Sequence, residues 1–166
     1  MIDVLRTGSL LLAALTTGLM AGLFYAFSYS VMPGLGQADD RTFVAAMQRI
    51  NVAIVNGWFL VCFLGALGFT AVAAAFQLAP QRRGVLLWVV AALVLYAAVL
   101  VITGRVNVPL NNQLDAAGAV DEISDVSAVR ARFEATWVRW NLVRAAANTA
   151  AFGCLLWALV LHGRVS

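Results

Sequence analysis

Five polar or aromatic side chains recur near the C-terminal end of the chain: Glu134, Trp137, Asn141, Arg144 and Asn148. Their steps of three, four, three and four residues put all five on one stripe of a helix. Trp140 stands beside the stripe, four residues before Arg144. Elsewhere Arg105 is followed by Asn107-Val108-Pro109-Leu110-Asn111-Asn112, Tyr25 and Tyr29 lie one turn apart with Ser28 between them, and Arg49, Asn51 and Asn56 are close in sequence. These residue types suit a flat, partly anionic, oxygen-bearing aromatic molecule. Arginine pairs with an oxyanion, asparagine bonds to carbonyl or hydroxyl groups, and tryptophan offers a face for stacking. Each residue alone has a plainer role, since tryptophan and tyrosine anchor helices at membrane interfaces and arginine near a helix end reaches for head groups. Five such groups on one stripe favour a shared pocket.

Other chemistries lack their residues. The single histidine, His162, lies at the far end of the last apolar block, whereas haem, non-haem iron and catalytic zinc sites usually draw on histidine. No glycine-rich phosphate loop or dinucleotide fingerprint is present, and no serine is paired with a histidine for a hydrolase triad. No metal ligand set and no cofactor is implied. All eleven basic residues are arginine and several fall at helix ends, which does not make the exposed basic face of a nucleic-acid binder.

The elements that must position these residues follow from charge spacing. Only 11% of the 166 residues are charged and 63% are hydrophobic, against about 25% charged in an average soluble domain. No charge lies between Arg6 and Asp39, Arg49 and Arg82, Arg83 and Arg105, or Arg144 and Arg164. Each block meets or nearly meets the roughly 20 apolar residues that cross a bilayer core. The first is too long for the core of a signal peptide. The sequence therefore predicts an all-α, single-domain bundle of four transmembrane helices, an integral multi-pass protein whose first partner is the lipid bilayer. The helices are expected from Thr7 to about Met32, where Pro33-Gly34 stops the first; from Val52 to Leu78; from Val85 to Val106; and from Ala131 to Leu161. Between the first two, Asp39-Asp40 is a fair N-cap for a short amphipathic helix to Ile50, with Phe43, Met47 and Ile50 on one face. Asn107 to Arg130 reads as a polar loop, because Pro109 biases Val108 away from helix.

Four spans put both longer connections on one side of the membrane, and both termini with Arg82-Arg83 on the other. If Arg49, Arg105, Arg139 and Arg144 are partly buried, the remaining charges favour cytoplasmic termini, in the cytoplasmic membrane of a bacterial host. Gly18-x-x-x-Gly22, Gly65 and Gly68 suit close helix packing within one chain, and are compatible with a homo-oligomer. Cys62 and Cys154 lie inside helices and read as small hydrophobes, not a disulfide.

Four stretches resemble the anthrone oxygenase-like family of small membrane proteins. They are Gly22-Leu23-Phe24-Tyr25-Ala26-Phe27-Ser28, Met47-Gln48-Arg49-Ile50-Asn51, Asn107-Val108-Pro109-Leu110-Asn111 and Trp137-x-x-Trp140-Asn141-x-x-Arg144. The last two are the most specific, and the resemblance extends over nearly the whole chain. It implies a four-helix membrane fold and oxygen-dependent conversion of an anthrone, or a similar lipophilic hydroxylated aromatic, to its quinone. Under that reading Arg144 and Arg105 stabilise the substrate anion, Glu134 is the candidate base, and Asn111 and Asn141 orient the ring. Trp137, Trp140, Asn107, Tyr25 and Asn51 complete the lining, and no metal or cofactor takes part. An ion pair between Glu134 and a nearby arginine is the competing role for that carboxylate. A non-catalytic carrier for a quinone-like or lipid molecule needs the same pocket and is the alternative function.

Overall fold

A computed structural model describes residues 1–164. Helix α1 (Ile2–Ala26) passes through a π-helical turn (Phe27–Val31) into α2 (Met32–Gly36). Helix α3 (Asp40–Ile54) is the amphipathic element, and α4 (Gly57–Phe76) is the second long helix. A 3₁₀ turn (Pro80–Arg82) leads to α5 (Arg83–Ile102), which passes through a second π-helical turn (Thr103–Asn107) into α6 (Val108–Asp115). Helix α7 (Val126–Arg164) closes the chain. Four rods are long and apolar enough to cross a membrane: Ile2–Gly36, Gly57–Phe76, Pro80–Asp115 and Val126–Arg164. The fold is the expected all-α four-helix bundle.

The boundaries differ in an instructive way. Pro33 does not end the first rod, and Pro109 does not open a loop: helix continues past each, to Gly36 and Asp115. Proline lacks an amide hydrogen and its ring crowds the carbonyl four residues back. In both rods a π turn comes just before, ending at Val31 or Asn107, and proline then falls in the first turn of the next α segment. There its missing donor costs little. The connection from Asn107 to Arg130 shrinks accordingly. The last helix starts at Val126 rather than Ala131, where Asp125 accepts the Ala128 amide at 2.9 Å. The amphipathic helix extends to Ile54. The second span then begins at Gly57, capped by Asn56, which accepts the Phe59 amide at 3.1 Å.

Around the bundle the order is α4, α1, α7, α5. The seams of α1 with α4, α1 with α7 and α5 with α7 are extensive; that of α4 with α5 is the slightest. Small residues carry the axis, with Ala13, Ala66, Ala73, Ala92, Ala151 and Ala158 all buried, and they let helices approach closely in lipid. Gly18 is part of this packing, since a Cβ there would meet the Phe152 ring at 2.9 Å; Gly22 has no such neighbour within 4 Å.

Hydrogen bonds fix which ends lie together. At the termini, Thr7 Oγ1 is 3.0 Å from His162 Nε2, Arg82 Nη1 is 3.0 Å from His162 Nδ1, and Arg6 Nε donates to Phe76 O at 3.1 Å. At the opposite end α3 lies across the bundle and buries Phe43, Val44 and Met47 against Met32, Leu114, Phe133 and Trp137. Its start is capped by Asp39, which accepts the Thr42 amide at 2.9 Å and the Thr42 hydroxyl at 2.7 Å. These Thr42 bonds, the hydroxyl's first, hold the Asp39 carboxyl below the usual carboxylate range.

Candidate functional site

A cavity of about 400 Å³ lies under α3 at the loop end of the bundle. Five walls meet there. Helix α1 and its π turn bring Leu23, Phe24 and Phe27; α3 brings Ile50, Asn51 and Ile54; α4 brings Phe59, Leu60, Phe63 and Leu64; the second π turn and α6 bring Thr103, Asn107, Val108 and Asn111. Helix α7 supplies Trp137, Asn141 and Arg144, and Val55 closes the α3–α4 corner.

Arg144 is the one charged group in this lining, and it is only 5% exposed. Its Nη2 donates to Asn141 Oδ1 at 2.8 Å and its Nη1 to Thr103 Oγ1 at 3.2 Å. The guanidinium carbon lies 4.5 Å from the centre of the Phe24 ring and 5.6 Å from that of Trp137. Among the described residues no carboxylate lies within ion-pairing distance of Arg144, and its Nε has no protein acceptor. A buried ammonium- or guanidinium-type charge is expensive unless paired. Neutral oxygens and ring faces offset that cost in part and leave the Nε donor without an acceptor.

The two π turns flank the α7 stripe and hand it polar groups. Phe24 O, at the onset of the first, accepts from Asn141 Nδ2 at 3.1 Å and from the Ser28 hydroxyl at 3.0 Å. Ser28 Oγ also accepts from Asn141 Nδ2 at 2.9 Å. In the second, Thr103 presents its hydroxyl to Arg144, and Asn107 Nδ2 donates to Trp137 O at 3.5 Å. Trp137 Nε1 in turn donates to Asn111 Oδ1 at 2.8 Å. Single π turns inside long helices recur at functional sites. Here each re-phases a rod just ahead of a proline.

Of the residues singled out from sequence, Arg144, Trp137, Asn141, Asn107, Asn111 and Asn51 share the cavity. Arg105, Tyr25, Trp140 and Glu134 do not line it. Arg105 stands two residues before inward-facing Asn107 and so projects from the nearly opposite face, exposed. Tyr25 follows buried Phe24 and is exposed, its ring 4.7 Å from that of Tyr29. On α7, Asn141, Arg144 and Asn148 lie within about 40° of Trp137 around the helix, whereas Glu134 and Trp140 lie about 60° to either side. Glu134 accepts from Arg130 Nε at 2.7 Å. Arg130 also bonds Asp40 at 3.0 Å and the carbonyls of Gly36 and Ala38, latching the α2–α3 corner to α7. The ion pair, not the cavity, occupies Glu134. Asn148, the last of the stripe, is fully buried one turn deeper with both amide atoms unpartnered.

Among the lining residues that the sequence did not single out are Thr103, Phe24, Phe27, Phe59 and Phe63. Thr103 had a signal, its four-residue spacing from Asn107. The phenylalanines had none, being indistinguishable by spacing from lipid-facing neighbours. Among the lining residues there is no histidine, cysteine or carboxylate, so a ligand meets donors, one acceptor amide after another, aromatic faces and a single cation.

One comparison with known proteins identifies a family. No curated relative and no solved structure shows significant similarity to the chain. The family model for anthrone oxygenase matches residues 58–154, covering α4, α5, α6 and the stripe of α7, while the quoted stretches of α1 and α3 fall outside the match. That is more than half of the sequence, and it includes most of the cavity's polar wall: the chain belongs to the anthrone oxygenase family.

Proposed function

We propose that the protein oxidises a lipophilic hydroxylated aromatic of the anthrone type to the corresponding quinone, with dioxygen as oxidant. One observation carries the reading: Arg144, a buried cation without a carboxylate partner, faces an aromatic-walled cavity large enough for a small fused-ring ligand. The overall change balances as ring CH₂ plus O₂ giving ring C=O plus H₂O. An anthrone that gives up a proton to water becomes an electron-rich anion that can pass an electron to dioxygen, and a proton is taken back at the peroxide. A preorganised guanidinium lowers the energy of that anion where water is excluded. Recombination at the ring carbon gives a peroxide, and loss of water from it leaves the carbonyl. With Glu134 held by Arg130, the ionising push comes from Arg144 acting on the ligand's own acidity rather than from a carboxylate in the wall.

The second reading, a carrier for a quinone-like molecule, draws on the same cavity and on its lack of a lining base. Oxygen uptake separates the two. Protein stripped of metals and reconstituted in lipid, given an anthrone, is expected to consume oxygen faster than lipid alone and faster than an Arg144→Met variant. Equal rates for all three, with tight binding of the anthrone by the wild-type protein, would establish the carrier.

We infer from the exposed arginines that the loop end, and with it the cavity, lies on the cytoplasmic side. The discount behind cytoplasmic termini required Arg49, Arg105 and Arg139 to be partly buried, but all three are exposed. With Arg41 and Arg132 they outnumber the exposed Arg83 and Arg164 of the termini end, and arginine near span ends sets orientation. Labelling of a cysteine placed at Ala119 from inside, and not outside, intact cells tests it.

A further inference from the structure

The cavity has a roof, a floor and one apolar gap. Its roof is α3, held to the α6 end by Gln48 Nε2, which donates to Leu114 O and Gly118 O at 2.9 Å each, and by the Arg130 latch. Its floor on the α4–α5 side is a tether, Tyr96 Oη donating to Phe63 O at 2.8 Å. Helix α4 packs on α1 and α5 but makes no substantial seam with α6 or α7. The gap is edged by Val55, Leu60, Leu64 and Val108, which line the cavity and are 41 to 64% exposed. None is polar. Leu60 and Leu64 sit within the first two turns of α4, so this edge lies about 5–10 Å below the start of that helix, within the hydrocarbon of a bilayer whose core is about 30 Å thick.

We propose that this gap is a lateral portal through which the cavity exchanges ligand with the hydrocarbon layer rather than with water. The ligands are then fused-ring compounds already dissolved in the membrane. They enter ring-first past Leu60 and Leu64 and bring their oxygens to Arg144. Water-soluble anions are excluded by the roof, although the cation inside would attract them. Leu64 and Leu60 act on the rate of exchange and Arg144 on affinity, because portal residues meet the ligand in transit and Arg144 meets it at rest. The proposal rests on the cavity being the ligand site.

The test uses full-length protein in phosphatidylcholine vesicles, with 1,8-dihydroxyanthraquinone as probe and quenching of Trp137 emission as readout. A Trp137→Phe variant supplies the background of the other tryptophans. Stopped-flow mixing gives binding and release rates. Narrowing the gap with Leu60→Phe/Leu64→Phe is expected to slow both binding and release, each by about fivefold or more and by more than the dissociation constant changes. The same added bulk on the outward face of α1, Leu12→Phe/Leu19→Phe, is expected to change neither rate. Opening the roof with Gln48→Ala is likewise expected to leave both rates alone. If the Leu60/Leu64 variant binds and releases at wild-type rates, or if Gln48→Ala speeds exchange instead, the route is not lateral and the proposal is wrong. Absence of any Trp137 quenching in wild type would overturn the ligand site itself, a distinct result because it needs no rate comparison.

Discussion

The bundle buries two arginines, one at each end, and treats them differently. Arg82, 6% exposed, is packed among groups that answer it: Nη1 lies 3.0 Å from His162 Nδ1, and Nη2 lies 3.4 Å from the Asp3 carboxylate, which also takes Arg6 at 2.9 Å. His162 is tied on its other side to Thr7. Arg144, 5% exposed, meets only a hydroxyl, an amide oxygen and two ring faces, and it borders open space. A buried charge that is answered by protein groups holds helices together. One that is left short of an anion is poised to take it from a ligand, and the fold carries its desolvation cost until then. The termini end is a clamp and the loop end is the proposed site.

Exchanging each arginine for methionine breaks the comparison most sharply. Arg144→Met is expected to lower affinity for an ionised hydroxyanthraquinone by about a hundredfold or more, the scale of losing a buried charge partner, with unfolding in detergent unchanged or improved because an unpaired charge has been replaced by an apolar chain. Arg82→Met is expected to do the reverse. It removes the Arg82 bonds to His162 and Asp3 and destabilises the bundle by about 1–3 kcal/mol, read from helix loss during denaturant titration, while ligand affinity per folded molecule stays at the wild-type value. If Arg144→Met unfolds the protein and Arg82→Met does not, the two ends have been assigned the wrong way round.

Glu134→Gln sharpens the boundary of the site. Its partner Arg130 keeps Asp40 and two carbonyls, so the expected loss of stability is within about 1 kcal/mol. Oxygen uptake and its pH profile should not move. A profile that loses its acidic limb in this variant would show that the carboxylate reaches the substrate after all. The smallest effect belongs to the roof. Because the Asp39 carboxyl is held below its ordinary range by Thr42, its cap contributes to α3 in full above the unfolded carboxylate pKa. That contribution is lost as pH falls through the lower folded value. The protection of the Thr42 amide relative to its intrinsic exchange rate should therefore fall on acidification, with the acid step absent in Asp39→Asn.

Much of this was legible in the sequence. Charge-free blocks locate spans because the bilayer tolerates few charges, and Asp39 announces α3 because an N-cap acts locally. The Trp137–Asn141–Arg144 stripe could be read because α7 is one unbroken helix, so spacing converts directly into direction. Arg130, four residues before Glu134, was a visible ion-pair signal. The rods of Arg105 and Tyr25 were less readable. Each carries a π turn, and the shift in phase there decides which of two near neighbours, Asn107 or Arg105, turns inward. A proline normally read as a stop hid those turns. The depth of Arg82 was not readable either, since a turn residue between spans is buried only by what the distant termini, Asp3 and His162, bring against it.

The central claim is that Arg144 stabilises an anion inside the bundle, and the ligand itself can report it. Hydroxyanthraquinones change colour when they ionise, so visible absorbance of the bound compound, titrated against pH in lipid vesicles, reads its acidity in the cavity directly. The account predicts that the compound bound to wild-type protein ionises at a lower pH than the same compound in protein-free lipid, and that the shift vanishes in Arg144→Met. A bound ligand that ionises at the same pH as in lipid, or at a higher one, would contradict it.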